Sequence, residues 1–360
     1  MRIFRGKQEF TVFAEELVGT KVLVVYDINT GVFSTDIIEI LLGNHKEVEI
    51  YCFEDKHLLP EINNLKELLE KAKNYDYILG IGSGTLNDIC KYTSFICKVP
   101  YGIYATAPSM DGYVSSVSAL YENGKKVTLP TTIPCDILID IEVLKNAPLD
   151  MIVAGAGDMI GKYTSLLDWK FSSLLNGEKY DSQIVERMKK AVALCMSKAR
   201  ELVYRNESAV NALIEGLILS GIEMQNAGNS RPASGCEHHI SHYLEMIAEC
   251  KNTHFAPHGV QVALGTLVGN ELYRYALSKK IGRISLITDD ILELPTIEKL
   301  KTLYKEIGLP ISFEEIGVDK ELLEETIVNA YTVRERFTIM SFLNNNGVLQ
   351  TVAEEIAKGL

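Results

Sequence analysis

Five of the seven histidines fall between positions 238 and 258: His238, His239, His242, His254 and His258. His238 and His242 are four apart in a stretch of helical apolar period, so they share a helix face, while His239 points elsewhere. His258 opens a further helical stretch, His258-Gly259-Val260-Gln261-Val262. Imidazoles suit zinc, nickel or iron, and a catalytic metal site wants three protein ligands and an open position. The clustering favours metal or proton chemistry over five unrelated packed or solvated rings, without deciding which of the five bind. A carboxylate to complete the set stands in Gly155-Ala156-Gly157-Asp158-Met159-Ile160-Gly161-Lys162. Helix N-capping is the ordinary alternative for Asp158.

Two loops suit a cofactor. Gly80-Ile81-Gly82-Ser83-Gly84-Thr85-Leu86-Asn87-Asp88 closes a predicted strand and opens a predicted helix. Glycines there let the backbone approach a pyrophosphate, and a helix N-terminus offers free N–H groups and partial positive charge. The segment lacks the Gly-Lys-Ser/Thr ending of a nucleotide triphosphate loop. It also departs from the usual dinucleotide order, in which the ribose-binding acid follows the glycines. Here the best acid, Asp27, precedes them, at the end of the strand that closes with Val24-Val25-Tyr26-Asp27. The second loop is Ala105-Thr106-Ala107-Pro108-Ser109-Met110-Asp111-Gly112-Tyr113. Asp111 there could accept a hydrogen bond from a substrate hydroxyl, or simply make an Asp-Gly turn.

The elements that must position these residues divide the chain in two. Up to about residue 148, short apolar runs alternate with helical patterns. Strands are predicted at Lys21–Tyr26, Glu47–Cys52, Tyr77–Ile81 and Tyr101–Ala105, with a helix around Leu65–Ala72 and a hairpin turn on Asn123-Gly124. Strand-helix-strand alternation predicts an open parallel sheet. Beyond Pro148 the pattern is almost wholly helical, through 151–175, 184–204, 208–228, 236–250, 258–277 and 320–345. The expected architecture is an α/β domain over 1–148 with a parallel sheet and an all-α domain over 149–360, with ligands in a cleft between them.

Composition narrows the function. Apolar residues make up 47% and charged residues 23%, the balance of a globular protein, and the net charge is -12. An acidic surface repels nucleic acid but does not forbid a small phosphorylated ligand in a basic pocket. The seven cysteines are scattered and lack a Cys-x-x-Cys pair, which fits a reducing compartment. The opening residues 1–10 have no apolar core of signal-peptide length, and no apolar run reaches the roughly 18 residues of a membrane span. A cytoplasmic location without stable membrane insertion is expected.

Gly82-Ser83-Gly84-Thr85-Leu86-Asn87-Asp88, Thr106-Ala107-Pro108-Ser109-Met110-Asp111-Gly112-Tyr113, Gly157-Asp158, Ser230-Arg231-Pro232-Ala233-Ser234-Gly235-Cys236-Glu237-His238 and His258-Gly259 occur in the order and approximate spacing of one family. The chain resembles the glycerol-1-phosphate dehydrogenases over about residues 20 to 345. That family belongs with glycerol dehydrogenase, the iron-containing alcohol dehydrogenases and dehydroquinate synthase. The resemblance implies a dehydroquinate synthase-like fold, with a cofactor domain followed by a helical metal domain.

It also implies roles. Asp158, His238 and His258 resemble the metal ligands, with His254 a rival for the last. Asp111, Asp158 and His242 resemble substrate contacts, with Asp111 and His242 the expected catalytic groups. Gly82, Ser83, Gly84, Thr85, Leu86, Thr106, Ala107, Pro108, Ser109 and Ser115 resemble cofactor contacts, and Asp27 the contact to the adenosine ribose. A carboxylate at that place favours NAD, with NADP as the alternative. Zinc is the expected metal, with nickel and iron the alternatives. Lys162 and Arg231, in segments that look like the phosphate-using family, are the expected partners of a substrate phosphate. The expected reaction interconverts dihydroxyacetone phosphate and sn-glycerol 1-phosphate, a step of phospholipid biosynthesis, in a homo-oligomer acting on a small polyol phosphate. Glycerol oxidation is the nearest competing activity; a dehydroquinate synthase-like lyase and a non-catalytic binding protein rank below it.

Overall fold

Among the described residues, eight strands form in the first part of the chain: β1 (Arg2–Arg5), β2 (Lys21–Asp27), β3 (Glu47–Phe53), β4 (Tyr77–Gly82), β5 (Tyr101–Ala105), β6 (Val117–Glu122), β7 (Lys125–Pro130) and β8 (Asp136–Ile139). The computed structural model describes residues 1–17, 19–251 and 253–359. Two compact units result, Met1–Ile152 and Val153–Leu360.

In the first unit, six strands pair in the order β1-β8-β5-β4-β2-β3, every pair parallel. The four strands predicted from sequence are present, and β1 and β8 extend the sheet. Both are four residues long, too short for a periodic signal. β4 and β5 are buried along their whole length, which is why they read as continuous apolar runs rather than alternating ones. Tyr77, Leu79 and Ile81 of β4 pack on one face against Phe10, Phe13, Ile37 and Leu41 of the Gly6–Glu16 and Ser34–Gly43 helices. Each such buried side chain contributes roughly 1.5–3 kcal/mol. On the opposite face a Cβ at Gly80 would lie 2.7 Å from Cys90 Sγ of the Gly84–Cys97 helix. Successive residues of a strand face opposite sides, so both faces of β4 are covered.

β6 and β7 form a separate antiparallel hairpin. Its turn residues Asn123 and Gly124 have φ of 54° and 75°, the conformation that favours Asn-Gly.

The second unit is helical, with no strand among its described residues. The helices that matter below are Leu149–Asn176, Cys236–Lys251 and His258–Ser278. The helical pattern expected over 320–345 is interrupted. A helix over Lys320–Asn329 ends in a tight turn at Ala330–Thr332, and helix resumes only at Ile339. Between them runs an irregular segment carrying Arg334 and Arg336.

Candidate active site

Two glycines set the site in the second unit. A Cβ at Gly259 would fall 1.9 Å from Ala154 O, and one at Gly157 would fall 2.2 Å from Gly259 O. The Leu149–Asn176 and His258–Ser278 helices therefore cross backbone against backbone, which glycine alone permits. That contact sets Asp158 and His258, each next in sequence to one of these glycines, at the crossing.

Asp158 is fully buried, and its Oδ1 lies 3.5 Å from His238 Nε2. The ring centroids of His238 and His258 are 5.2 Å apart, and His242 lies 6.1 and 5.4 Å from them. Of the five clustered histidines, these three come together. His254 is exposed and has no ring contact with them among the described residues. His239 is buried beside the cluster without joining it.

Carboxylates stand behind the rings. Glu237 Oε1 lies 2.8 Å from His238 Nδ1. Glu245 Oε1 lies 3.0 Å and Ser241 Oγ 3.1 Å from His258 Nδ1, while Glu245 Oε2 lies 3.1 Å from His242 Nδ1. With each Nδ1 engaged, each ring keeps Nε2 for a metal or a proton, the usual outer arrangement of histidine ligands. Ligand atoms of His242, Glu245 and His258 also lie within 4.8 Å of one another. Glu245 is better placed as the hydrogen-bond partner of two rings than as a ligand, because both its oxygens already engage Nδ1 atoms. Asp158, His238 and His258 thus offer one carboxylate oxygen and two imidazole nitrogens, a donor set that fits a divalent metal of the zinc, nickel or iron type.

Charge is distributed accordingly. Burial alone would raise the Asp158 carboxyl, but Lys162, His238 and His258 hold it well below the usual carboxylate range. Burial would likewise raise Glu237, and its bonds to His238, Thr164 and Gly235 keep it lowered. Burial pushes His242 down to about 3, against the opposing pull of Glu245.

The two cations expected to meet a phosphate have other partners. Lys162 is fully buried and donates to Asp158 Oδ1 at 2.8 Å and to Ala233 O at 3.0 Å. Arg231 forms a bidentate pair with Glu178, its Nε 2.7 Å and its Nη2 2.5 Å from the carboxylate oxygens, and donates through Nη1 to Phe337 O at 2.7 Å. A buried cation already neutralised in this way joins segments of the fold and is a poor phosphate anchor. Arg231 thus joins Glu178 to the backbone at Phe337, and Lys162 is a partner of the candidate ligand Asp158.

In the first unit the glycine loop and the second loop are neighbours at the carboxyl edge of the sheet. Gly82 ends β4, and Thr106 N donates to Gly82 O at 3.1 Å. Ser83, Gly84 and Thr85 are partly exposed, while Leu86 is buried and packs under Gly82, where a Cβ would meet it at 2.4 Å. Thr106 and Ala107 are buried, and Tyr113 Oη donates to Ala107 O at 2.7 Å. Asp111 is buried at the start of the short turn Gly112–Val114.

Sequence reasoning missed the group that holds this loop. Lys91 is fully buried, with Nζ 3.0 Å from Asp88 Oδ1, 2.7 Å from Gly112 O and 2.9 Å from Ser115 Oγ. Ser115 is thereby tied to the loop base. Asp27 ends β2, which lies beside β4 with β3 on its other side. Strand order reverses there, the customary ligand crevice of open parallel sheets. Asp27 Oδ1 accepts from Asn29 N, Thr30 N and Thr30 Oγ1 at 2.8–3.0 Å, and its Oδ2 accepts no hydrogen bond among the described residues.

A protein of Bacillus licheniformis named glycerol-1-phosphate dehydrogenase [NAD(P)+] is 33% identical over 350 residues, covering 95% of this chain and 87% of the relative. The chain belongs to the glycerol-1-phosphate dehydrogenase family. A member from Methanosarcina mazei is 30% identical over 319 residues, 88% of this chain and 80% of its own. Residues 7–148 match the iron-containing alcohol dehydrogenase family. The fold is that of an iron-containing alcohol dehydrogenase from Thermococcus thioreducens, with a TM-score of 0.75 over 100% of this chain and 99% of that one at 16% identity. The α/β unit with its parallel sheet, followed by a helical unit, is thus the dehydroquinate synthase-like fold. No helix among the described residues is long and apolar enough to cross a membrane.

Proposed function

We propose that this chain is a metal-dependent, NAD(P)-linked dehydrogenase that interconverts dihydroxyacetone phosphate and sn-glycerol 1-phosphate. The observation that carries the reading is the approach of Asp158 to His238 and of His238 to His258 in a chain one third identical, along nearly its whole length, to a protein named for that activity. Asp158, His238 and His258 would hold the metal, with Nε2 the ligating atom of each ring. When bound, the metal supplies a Lewis acid for the substrate oxygen, and the nicotinamide supplies or accepts the hydride.

The chain's own residues do the rest. Glu237 and Glu245 fix the orientation of the rings from behind. His242, neutral at physiological pH because burial holds it down to about 3, takes a proton from the substrate hydroxyl only as that hydroxyl acidifies, and Glu245 on its Nδ1 steadies the charge that forms. The Gly82–Leu86 loop and Thr106–Ser109 receive the cofactor, and Asp27 Oδ2 accepts from a ribose hydroxyl, which favours NAD over NADP. Asp111 orients the substrate. Zinc is the metal proposed, from two imidazoles and one carboxylate. A homo-oligomer working in the cytoplasm completes the reading.

A kinetic panel tests it: glycerol, both glycerol phosphate enantiomers and dihydroxyacetone phosphate, with NAD or NADP, after chelation and after return of each metal. Turnover of dihydroxyacetone phosphate and sn-glycerol 1-phosphate that stops with chelator and returns with zinc is expected. Preference for glycerol would assign the chain to free polyols instead.

A further inference from the structure

Further along the helix of Asp158 stands a second fully buried carboxylate, Asp168, about 15 Å away along the axis. Its Oδ1 accepts from Tyr273 Oη at 2.6 Å and from Ile339 N at 2.7 Å, and its Oδ2 accepts from Cys236 N at 2.6 Å. Cys236 opens the helix of His238 and His242, Tyr273 belongs to the helix of His258, and Ile339 opens the helix that follows the irregular segment. One side chain on the helix of Asp158 therefore holds both other helices that carry a proposed metal ligand. The first N–H groups of a helix have no partner within it, and a carboxylate placed there satisfies one of them and meets the positive end of the helix.

These bonds fall where the placement of the ligands is decided. Cys236 stands two residues before His238, so a shift of the helix start carries that ring with it. The Leu149–Asn176 and His258–Ser278 helices meet backbone to backbone at Gly157 and Gly259. The bond from Tyr273 to Asp168 joins the same two helices again further along, and two separated joints fix the angle between two rods. Packing leaves no slack beside Cys236: a Cβ at Gly235 would fall 2.6 Å from Asp168 Oδ2, 2.7 Å from Ser165 Cα and 3.0 Å from Glu237 Oε2. Ligand atoms of Asp168, Cys236 and Glu237 lie within 4.8 Å of one another. They make no second metal site, because both oxygens of each carboxylate already accept hydrogen bonds, those of Glu237 from Gly235 N and from Thr164 Oγ1, each at 2.6 Å. The two carboxylates divide the work, Asp168 holding the start of the helix and Glu237 the ring of His238.

We propose that Asp168 is a positioning residue for the metal: its carboxylate fixes the mutual placement of the helices that present Asp158, His238 and His258, and so sets the affinity and coordination geometry of the site, although none of its hydrogen bonds among the described residues goes to those three side chains. The assignment rests on the metal site proposed above.

The test compares wild type, Asp168→Asn and Val352→Ala, the last a buried apolar truncation in the Leu349–Gly359 helix. Three quantities are read: the denaturation midpoint of the metal-free protein, zinc affinity by competition with a chromophoric chelator, and the visible spectrum of the cobalt(II)-loaded protein, which reports ligand geometry. Asparagine keeps the size of aspartate, but either orientation of its amide turns an N–H towards the backbone N–H of Cys236 or of Ile339. Asp168→Asn is expected to lose zinc affinity at least 10-fold, at the low end of the about 10–100-fold that outer partners supply, and to shift the cobalt bands. Val352→Ala lowers the midpoint and leaves affinity and bands as in wild type. An Asp168→Asn protein that loses stability but keeps wild-type affinity and bands overturns the assignment, as does an equal loss of affinity in Val352→Ala. Should Asp168→Asn fail to fold, Tyr273→Phe carries the test, with about threefold weaker zinc binding and shifted bands expected and wild-type values for both overturning it. A wild type that binds neither ion, or an Asp158→Asn protein that binds both as wild type does, overturns the proposed metal site instead, so the two failures are distinct.

Discussion

Glu237 engages the ring of its own sequence neighbour, its Oε1 2.8 Å from His238 Nδ1, and the far nitrogen of that ring faces Asp158 Oδ1 3.5 Å away. A buried carboxylate thus sets which nitrogen His238 offers. Outer partners of this kind are worth about 10–100-fold in metal affinity. Glu237→Gln is expected to lose zinc affinity by that factor in a competition titration with a chromophoric chelator, while a wild-type affinity would show that the ring is oriented without it.

Asp158→Asn removes the proposed ligand and also leaves buried Lys162 without the carboxylate it now contacts at 2.8 Å. Breaking a buried ion pair on one side costs about 3–5 kcal/mol. The variant should melt earlier, lose bound metal and lose roughly a thousandfold in turnover. Full metal occupancy with normal turnover would remove Asp158 from the site.

The helix crossing is testable with one methyl group. At Gly259 an added Cβ would sit 1.9 Å from Ala154 O, whereas at Gly43 it meets nothing within 4 Å. Gly259→Ala should destabilise by roughly 3 kcal/mol and weaken metal binding together, because the helices must separate. Gly43→Ala should do neither. Equal denaturation midpoints for the two would contradict the backbone contact.

The depressed His242 predicts an acid effect of defined sign. Its folded value is about 3, against about 6.5 for a free imidazole. Between those values the unfolded chain takes up a proton that the folded one refuses, so stability falls as pH drops through this window and is fully present above it. Urea midpoints of the metal-free protein at pH 7 and pH 5 should therefore diverge more for wild type than for His242→Gln. Identical losses in both would place the sensitivity elsewhere.

What the sequence discloses follows from the range of the signal. β4 and β5 are continuous apolar runs because both faces are covered, and the glycine loop between β4 and its helix is a local pattern; both are legible. β1 and β8 are four residues each and owe their strand form to neighbours in the sheet, Phe4 pairing with Leu138. His238 and His242 announce a shared helix face by spacing alone. Glu245 lies three residues after His242 on the same helix, and that spacing was the available sign of its role. Glu237 gives no such sign, since its contact with the adjacent ring depends on both rotamers. The pairing of Arg231 with Glu178 was not legible, because a basic residue in a family-like segment reads the same whether or not a distant acid engages it. The break after Asn329 was hidden by the apolar pattern of 320–345, which persists through an interruption that only packing reveals.

The ammonium of Lys162, buried four residues along the helix from Asp158, gives this carboxylate a resident counter-charge. A buried negative group is then never left bare when the metal proposed to bind there departs. Chelation should consequently empty the protein while leaving it folded and able to reload, so that metal supply governs activity rather than the survival of the chain.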